Sequence, residues 1–334
     1  FPMIKDKIKI IAEVGVNHNG SLVIAKKLID KAKKCNADYV KFQNFKAEAL
    51  VTKTTALLNY QKNTKNKKQY DLLKSLEISQ QNFLELKRYA KKKKIEFLCT
   101  AFDIDGAKFL KKIGLKKLKI PSGEINNYPL LEVLSKISKK IILSTGMSTL
   151  NEIKYALKIL TKNKLKKKDI TVLHCTTQYP ASLKNVNLLA MQTIKRSLKI
   201  SVGYSDHTET DLTSILAVGL GAELIEKHIT LSKKMLGPDH KASMEVNDFK
   251  KFVKNIKQVP TILGKATKAP TKDEIKYKHL IRKSIVARKA IIKGEKFSIK
   301  NIITKRPEGG LSPTKWKKIL GNISKKNYSI DDFI

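Results

Sequence analysis

The chain has 334 residues, of which 41% are hydrophobic, so it can bury a substantial core and is not a disordered chain. Lysine and arginine number 69 against 29 aspartates and glutamates, which gives a formal net charge of +40. No run approaches the ~20 apolar residues that a membrane span requires, and the amino terminus lacks the pattern of a secretory signal.

Short apolar runs alternate along the chain with longer amphipathic stretches. Eight runs are predicted as strands: Ile8–Val14, Tyr39–Phe42, Glu96–Thr100, Leu118–Pro121, Ile141–Thr145, Thr171–Cys175, Ile200–Gly203 and Glu223–His228. Stretches such as Leu22–Lys34 between them place apolar residues at helical spacing, with lysines on the opposite side. The alternation predicts an α/β fold, a (β/α)₈ TIM barrel. A doubly wound open sheet is the alternative, and it lacks the GxGxxG expected after its first strand.

The composition also divides the chain into regions. Residues 1–263 are predicted as the barrel, 264–281 as a polar linker, and 282–334 as a small β-rich module with turn signals at Gly294 and Gly309. Two long connections interrupt the barrel pattern. Ala47–Gln81 is predicted as an extended loop with a helix, and Ser232–Val246 as a second loop, both at the catalytic face.

The positive charge is spread over the whole chain and does not indicate a dedicated nucleic-acid site. Arginine, which leads specific base readout, is rare, and no basic run is interleaved with aromatic residues. We therefore expect no specific nucleic-acid partner and no membrane partner, and keep a basic polyanion-binding protein as the non-enzyme alternative. The three cysteines form no CxxC pair, which favours reduced thiols and a cytoplasmic location.

Polar residues end nearly every predicted strand. In a TIM barrel the carboxyl ends of the strands form the catalytic face, so residues there are candidates for chemistry. In chain order the candidates are Glu13, Lys41, Gln43, Thr100, Phe102, Lys119, Ser122, Glu124, Ser144, Thr177, Tyr179, Ser205, His207, Glu226 and His228. So many polar strand ends are hard to explain as core packing, because each buried polar group would need its own partner.

Two lone cations among these candidates indicate an anionic substrate. Lys41 and Lys119 each end an apolar strand. A structural interpretation would pair them with Glu13 or Glu124. The functional interpretation is a bound phosphate or carboxylate, which nearby hydroxyls would also hold. Those hydroxyls belong to Thr100, Ser122, Ser144 and Ser205.

Two histidines indicate a metal site. His207 and His228 end neighbouring strands seven and eight, so the fold could bring their rings together. Two imidazoles with oxygens from Glu226, Glu13, substrate or water would suit Mn²⁺ or another divalent ion. Alternatively, each histidine caps a helix or fills the barrel rim.

Taken together, the motifs resemble the N-acetylneuraminate (sialic acid) synthase family, which includes legionaminic acid synthases. The segments that carry the resemblance are IAEVGVNHNG, VKFQNFKAE, FLCTAFD, KIPSGEINNYPLL, IILSTGMSTLNEI, LHCTTQYP, VGYSDHT, IEKHIT, GPDHKASME and ITKRPEGGLSP. The segments follow one another in order, and the resemblance runs from about Ile10 to about Ile330. The resemblance implies a TIM barrel followed by an antifreeze-like (SAF) domain. The family consists of bacterial enzymes that condense phosphoenolpyruvate with an N-acyl-mannosamine, so it also implies that activity.

The resemblance also implies roles for single residues. His207 and His228 resemble the metal ligands, for Mn²⁺ first, with Mg²⁺ or Co²⁺ as alternatives. The phosphoenolpyruvate cradle would consist of Lys41, Thr100, Lys119, Ser122, Ser144 and Ser205. The amino-sugar side would consist of Glu13, Gln43, Phe102, Tyr179 and Asp239. Arg306 matches the arginine that reaches the partner subunit's site in this family, which implies a domain-swapped homodimer. Thr177 stands where some sialic acid synthases have Asn.

The chemistry that these residues permit is a metal-assisted condensation with C–O cleavage. The metal would activate the open-chain aldehyde of the sugar, and Lys41 and Lys119 would hold the phosphate and carboxylate. Glu13 or Glu226 would serve as the general base. N-acetylmannosamine is the expected acceptor, and 2,4-diacetamido-2,4,6-trideoxymannose is the alternative. The sequence does not decide between these sugars, nor explain the lysine excess.

Overall fold

The computed structural model describes residues 7–58, 61 and 64–334, and the predicted features at residues 1–6, 59–60 and 62–63 lie outside that range. The chain divides into two compact units after Gly264. In the described part of the first unit, eight parallel strands follow one another in chain order, and β1 also pairs with β8, which closes the barrel. The strands are β1 (Lys9–Gly15), β2 (Tyr39–Asn44), β3 (Glu96–Ala101), β4 (Lys117–Ile120), β5 (Lys140–Ser144), β6 (Ile170–Cys175), β7 (Ser201–Asp206) and β8 (Leu224–Thr230). The predicted TIM barrel is therefore confirmed.

Helices alternate with these strands and cover the outside of the barrel. They are α1 (Leu22–Lys34), α2 (Ala47–Leu50), α3 (Gln69–Leu76), α4 (Gln80–Lys92), α5 (Ile104–Lys112), α6 (Tyr128–Ile137), α7 (Leu150–Leu160), α8 (Leu189–Leu198), α9 (Leu212–Gly219) and α10 (Val246–Leu263). Helix α1 shows why they form. The Ser21 hydroxyl accepts a hydrogen bond from the Ile24 amide, and Ala25, Leu28, Ile29 and Ala32 fall on one buried face. None of the described helices is long and apolar enough to cross a bilayer.

The long connection after β2 contains more helix than the sequence predicted. It holds two helices, α2 and α3, where the prediction placed one helix in an extended loop. Leu72 and Leu76 of α3 are buried in a small cluster with Val16 and Phe45. This local core orders the connection against the carboxyl ends of β1 and β2. After β8, the short strand β9 (Met244–Glu245) pairs with Ile229 and Thr230.

The barrel interior is layered because side chains alternate along each strand. One layer is apolar and consists of Ile11, Tyr39, Leu98, Ile142, Leu173 and Leu224. Two residues further along several of the same strands comes a polar, buried layer that contains Glu13, Lys41, Thr100, Lys119, Ser144 and Glu226. The apolar layer lies between this catalytic-face layer and the amino-terminal ends of the strands.

The second unit has its own small core. Strands β10 (Ser284–Ala287) and β11 (Ile302–Lys305) pair antiparallel, and helices α11 (Lys272–Ile281) and α12 (Trp316–Ile319) also belong to this unit. Its buried core consists of Ile285, Ala287, Ile291, Phe297 and Ile302. The predicted linker at 264–281 therefore contains a helix, which begins at a capping box of Thr271 and Glu274.

Candidate active site

Four buried charges form the centre of the polar layer. Lys41 Nζ lies 3.0 Å from Glu13 Oε2 and 3.6 Å from Glu226 Oε2. Lys119 Nζ lies 3.7 Å from Glu226 Oε1. Each of the four side chains is at most 5% exposed. Charged groups are almost never buried this deeply unless they are paired or functional, so the layer is a strong candidate for chemistry.

The two carboxyl groups of this cluster have different proton affinities. Burial raises the pKa of Glu13, and the Coulomb attraction of Lys41 only partly opposes that rise. Burial alone would also raise the pKa of Glu226. The positive charges of Lys119 and Lys41 outweigh this effect and lower its pKa to about 2. Neighbouring carboxyl groups whose pKa values are pushed apart can divide acid and base roles. Glu226 is thus the fixed anion, and Glu13 is the group suited to exchange a proton.

The two lysines also differ in pKa. Burial lowers the pKa of Lys41, but Glu13 and Glu226 more than offset this effect, so its pKa is raised. For Lys119, burial dominates and the pKa is lowered. Lys119 therefore has less compensating negative charge than Lys41, and a bound anion would supply it.

Hydroxyl groups border the lysines on both sides. Lys41 Nζ donates to Thr100 Oγ1 at 3.1 Å, and Lys119 Nζ donates to Ser144 Oγ at 2.7 Å. Ser205 Oγ donates to Glu226 Oε1 at 2.8 Å. These contacts place three of the predicted hydroxyls around the charge cluster.

A second group of hydroxyls lies around Gly146. Ser122 Oγ and Thr177 Oγ1 are 3.5 Å apart. Gly146 has φ of 44°, and a Cβ at that position would come within 2.6 Å of Ser122 Oγ. The absence of a side chain at Gly146 lets Ser122 and Thr177, after β4 and β6, approach the end of β5 closely.

The two predicted metal ligands lie side by side. The ring centroids of His207 and His228 are 5.8 Å apart, and Tyr179 packs against both rings at 4.1 and 5.9 Å. His207 Nδ1 lies 2.7 Å from the Thr176 carbonyl, so this nitrogen carries the proton and Nε2 keeps its lone pair. His228 Nδ1 is buried and has no hydrogen-bond partner among the described residues.

The donor set fits a divalent ion with help from substrate or water. Burial lowers the pKa of both histidines, which keeps the imidazoles neutral, as metal ligation requires. Within residues 7–58, 61 and 64–334, no group of three or more His, Cys, Asp or Glu side chains has metal-binding geometry. The protein would supply two imidazoles, and oxygen ligands would have to come largely from bound molecules.

Two of the residues predicted for the sugar side, Gln43 and Asp239, lie around Gly15. A Cβ on Gly15 would lie 3.3 Å from the His228 ring and 3.4 Å from Asp239 Oδ2 and from Gln43 Nε2. Gln43 Nε2 also donates to Glu13 Oε1 at 3.1 Å. Burial, with Glu13 nearby, raises the pKa of Asp239 to about 7. Phe102 directly follows β3, and it packs edge-on against Phe45 with ring centroids 6.0 Å apart.

One predicted residue of the first unit, Glu124, lies apart from this assembly. Glu124 accepts a hydrogen bond from Asn127 Nδ2 in the turn after β4, so the alternative pairing of a lysine with Glu124 is wrong. Lys119 pairs with Glu226 instead, because the turn carries Glu124 beyond the strand end. Arg306 is exposed in the second unit directly after β11, and its side chain has no partner among the described residues.

One buried ion pair next to the histidines was not predicted as part of the site. Lys227 Nζ lies 3.1 Å from Asp206 Oδ2, with side-chain exposures of 2% and 0%. Asp206 precedes His207 and Lys227 precedes His228. A charged residue within the apolar run LIEKHIT was the available signal. It was missed because alternation turns Lys227 away from the barrel interior.

Comparisons with known proteins agree with this geometry. Residues 28–268 match the NeuB family, and residues 282–334 match the SAF domain. The chain is 49% identical over 330 residues to the N,N'-diacetyllegionaminic acid synthase of Campylobacter jejuni, covering 98% of this chain and 99% of that protein. It is 43% identical over 325 residues to the enzyme of the same name from Legionella pneumophila, covering 96% and 91%.

A solved structure shows the same likeness. It is an N-acetylneuraminic acid (sialic acid) synthetase from Leptospira borgpetersenii, 35% identical, with a TM-score of 0.73. The match covers 82% of this chain and 93% of that one.

Proposed function

Because the chain belongs to the NeuB family, we propose that it condenses phosphoenolpyruvate with 2,4-diacetamido-2,4,6-trideoxymannose to give N,N'-diacetyllegionaminic acid and phosphate. The choice of acceptor is supported by two legionaminic acid synthases at 49% and 43% identity, against 35% for the sialic acid synthetase. N-acetylmannosamine is the second candidate, and its product would be N-acetylneuraminate. We propose this enzymatic condensation in place of the alternative that the chain is a polyanion-binding protein without enzyme activity.

The observation that carries the proposal is the pair of buried lysines in one barrel layer. Phosphoenolpyruvate has a carboxylate and a phosphate, which repel each other and require two cations. Lys41 and Lys119 lie on either side of Glu226, and their hydroxyl partners Thr100 and Ser144 can donate to the same anion. This arrangement offsets the repulsion and fixes the orientation of the enol.

The balanced reaction has one carbon–carbon bond formed and one carbon–oxygen bond broken. The third carbon of phosphoenolpyruvate attacks the aldehyde carbon of the open-chain sugar, and the aldehyde oxygen takes a proton. Water adds to the second carbon and gives up a proton. The bond from that carbon to the bridging oxygen then breaks, and phosphate leaves with this oxygen and takes up the proton of the hydroxyl that water left on the same carbon. The water oxygen remains as the keto oxygen of the product.

The protein groups suited to the proton transfers are the two glutamates. Glu13, with its raised pKa, is proposed to exchange a proton with the water or the aldehyde oxygen. Glu226, with its pKa of about 2, stays ionised and stabilises positive charge at the second carbon. A divalent ion held by His207 and His228, when bound, would polarise the aldehyde as a Lewis acid.

The assembly and location are also part of the proposal. We propose a domain-swapped homodimer in which Arg306 contacts the sugar in the partner's site. The exposed position of the Arg306 side chain and the SAF match at residues 282–334 support this role. A cytoplasmic location is supported by three cysteines that are all buried and free.

The test is product formation by the full-length protein with phosphoenolpyruvate, Mn²⁺ and each of the two sugars, followed by mass spectrometry. We expect the product of the diacetamido sugar, loss of activity in EDTA, and loss of activity in Lys119→Met. Lys158→Met, on the exposed side of α7, should keep full activity. Product only from N-acetylmannosamine would overturn the acceptor, and no product from either sugar would overturn the condensation.

A further inference from the structure

The barrel has a second opening, at the amino-terminal ends of the strands. A cavity of about 330 Å³ occupies this mouth, and its inner wall includes Tyr39, Ile142 and Leu224 of the apolar layer. Two hydroxyl residues, Thr171 and Ser201, also line it. The mouth is separated from the proposed active site by the apolar layer, so it is a distinct cavity.

Positive charge is concentrated at this mouth. Five lysines line the cavity, against the two carboxylates of Asp169 and Glu223. The lysines are Lys7, Lys9, Lys117, Lys140 and Lys168. A neighbouring recess of about 500 Å³ shares Lys117 and Lys140 and adds Lys116 and Lys139.

Ion pairs within the protein neutralise only some of these lysines. Lys9 pairs with Asp38 at 2.8 Å, and Lys117 pairs with Glu96 at 3.1 Å and donates to the Tyr39 hydroxyl at 2.7 Å. Lys140 and Lys168, by contrast, have no side-chain partner within the described part of the chain.

The two carboxylates at the mouth are already engaged. Asp169 accepts from the Lys166 amide, and Glu223 accepts from the Ser201 hydroxyl. With Asp38 and Glu96 counted, the mouth has five lysines against four carboxylates, and the neighbouring recess adds Lys116 and Lys139, so the two together have surplus positive charge.

Two of these lysines begin neighbouring strands. Lys117 and Lys140 are register partners on β4 and β5, and Lys117 is paired with Glu96, whereas Lys140 has no side-chain partner in the described part of the chain. These lysines border one concave surface and not an open convex one. Such a cleft focuses the electrostatic field and attracts anions.

We propose that the amino-terminal mouth of the barrel is a binding site for a small multivalent anion that has two or more phosphate groups. Lysine ammonium groups bind phosphate as point charges, and several of them within one cavity suit an anion with several charges. The cavity volume suits a ligand of the size of pyrophosphate, and the adjoining recess gives room for the remainder of a nucleoside polyphosphate. This site does not depend on the proposed condensation.

The test is calorimetric titration of the full-length protein with pyrophosphate and, separately, with ATP. The buffer holds EDTA and 0.15 M salt, and each titration is run without and with saturating phosphoenolpyruvate, the ligand proposed for the catalytic face. We expect one binding event per chain, weakened at least about tenfold in Lys140→Gln/Lys168→Gln. The control Lys154→Gln/Lys158→Gln removes the same charge from the exposed face of α7 and should bind as the unmodified protein does.

Each other outcome of this titration would overturn the proposal. If anion binding were weakened equally in both double variants, the attraction would come from lysines all over the surface and not from this cavity. An absence of binding at 0.15 M salt would lead to the same conclusion. Binding that phosphoenolpyruvate abolishes would place the anion at the catalytic face. All four substituted lysines are exposed, and the single variant Lys168→Gln provides the same comparison should the double variant be poorly folded.

Discussion

Lys227 Nζ and Asp206 Oδ2 form a buried ion pair at 3.1 Å that joins the carboxyl ends of β8 and β7 directly beside His228 and His207. The pair is enclosed by further polar contacts. Asp206 accepts hydrogen bonds from Thr208, Thr213 and Ser214, and Lys227 donates to the Thr210 carbonyl at 3.2 Å. Because each member is adjacent in sequence to one of the two histidines, this pair fixes the spacing of the candidate metal ligands.

Removing one member of this pair should destabilise the barrel strongly. Lys227→Met leaves the Asp206 carboxylate buried without its cation, and breaking a buried pair in this way costs about 3–5 kcal/mol. The double variant Lys227→Met/Asp206→Asn should recover part of that loss. Urea unfolding in EDTA measures both effects. Lys74→Met, which breaks the exposed pair with Glu48, should have a far smaller effect, because exposed ion pairs contribute little to stability. A loss that small for Lys227→Met would contradict this assignment.

Filling the space at Gly146 should weaken phosphoenolpyruvate binding. Alanine there would push against Ser122 and Thr177 and would strain a backbone with φ of 44°. We expect KM for phosphoenolpyruvate to rise at least about tenfold, with a smaller effect on the KM for the sugar. Steady-state kinetics with each substrate varied in turn tests this.

A matched glycine variant serves as the control for Gly146→Ala. A Cβ on Gly219 meets nothing within 4 Å, so Gly219→Ala should leave both KM values unchanged and should not reduce stability. Equal kinetic effects of the two substitutions would mean that Gly146 has no special place in the site.

The free energy of unfolding should fall at acid pH because His18 is buried in its neutral form. This side chain is fully buried, and burial, with His240 nearby, lowers its pKa from 6.5 to about 4. The unfolded chain binds the proton first as pH falls, so the stabilisation is complete above pH 6.5 and is lost as pH falls towards 4. The maximum loss is about 3 kcal/mol at 1.36 kcal/mol per pKa unit.

The His18 contribution can be isolated by comparing two pH profiles. Urea unfolding between pH 7.5 and pH 4, in EDTA, should show a shallower loss of stability in His18→Gln than in the unmodified protein. Parallel profiles would mean that His18 does not bind a proton differentially on unfolding.

Removing the Arg306 side chain should raise the KM for the sugar and leave the KM for phosphoenolpyruvate unchanged. Under the proposed swapped dimer, Arg306→Ala should raise the KM for the sugar at least about tenfold, because a charged hydrogen-bond donor is lost. Arg288→Ala, another exposed arginine of the second unit, should change neither KM. An Arg306→Ala enzyme with unchanged sugar kinetics would remove this residue from the site.

The polar layer was predictable because strand ends and alternation suffice to locate it. Lys41, Thr100 and Lys119 each end an apolar run, and the barrel brings such ends to one face. Spacing could not decide between an ion pair with Glu13 and a substrate role for Lys41. The structure has the ion pair within the candidate site, so the two interpretations are compatible.

Other features depended on contacts that no local pattern describes. The partner of Lys227 lies on the preceding strand, and only the register of β7 and β8 brings the pair together. Helix α11 was hidden by its polar composition, since none of its residues is buried. Its capping box, Thr271 with Glu274, was the local signal that could have found it.

The most direct test of the central claim is the fate of the bridging oxygen of phosphoenolpyruvate. Substrate labelled there with oxygen-18 is incubated with enzyme, Mn²⁺ and the diacetamido sugar, and the released phosphate is examined by phosphorus NMR. The account predicts that the label is found in phosphate and that release requires the sugar. Phosphate free of label, or released equally fast without the sugar, would contradict the condensation.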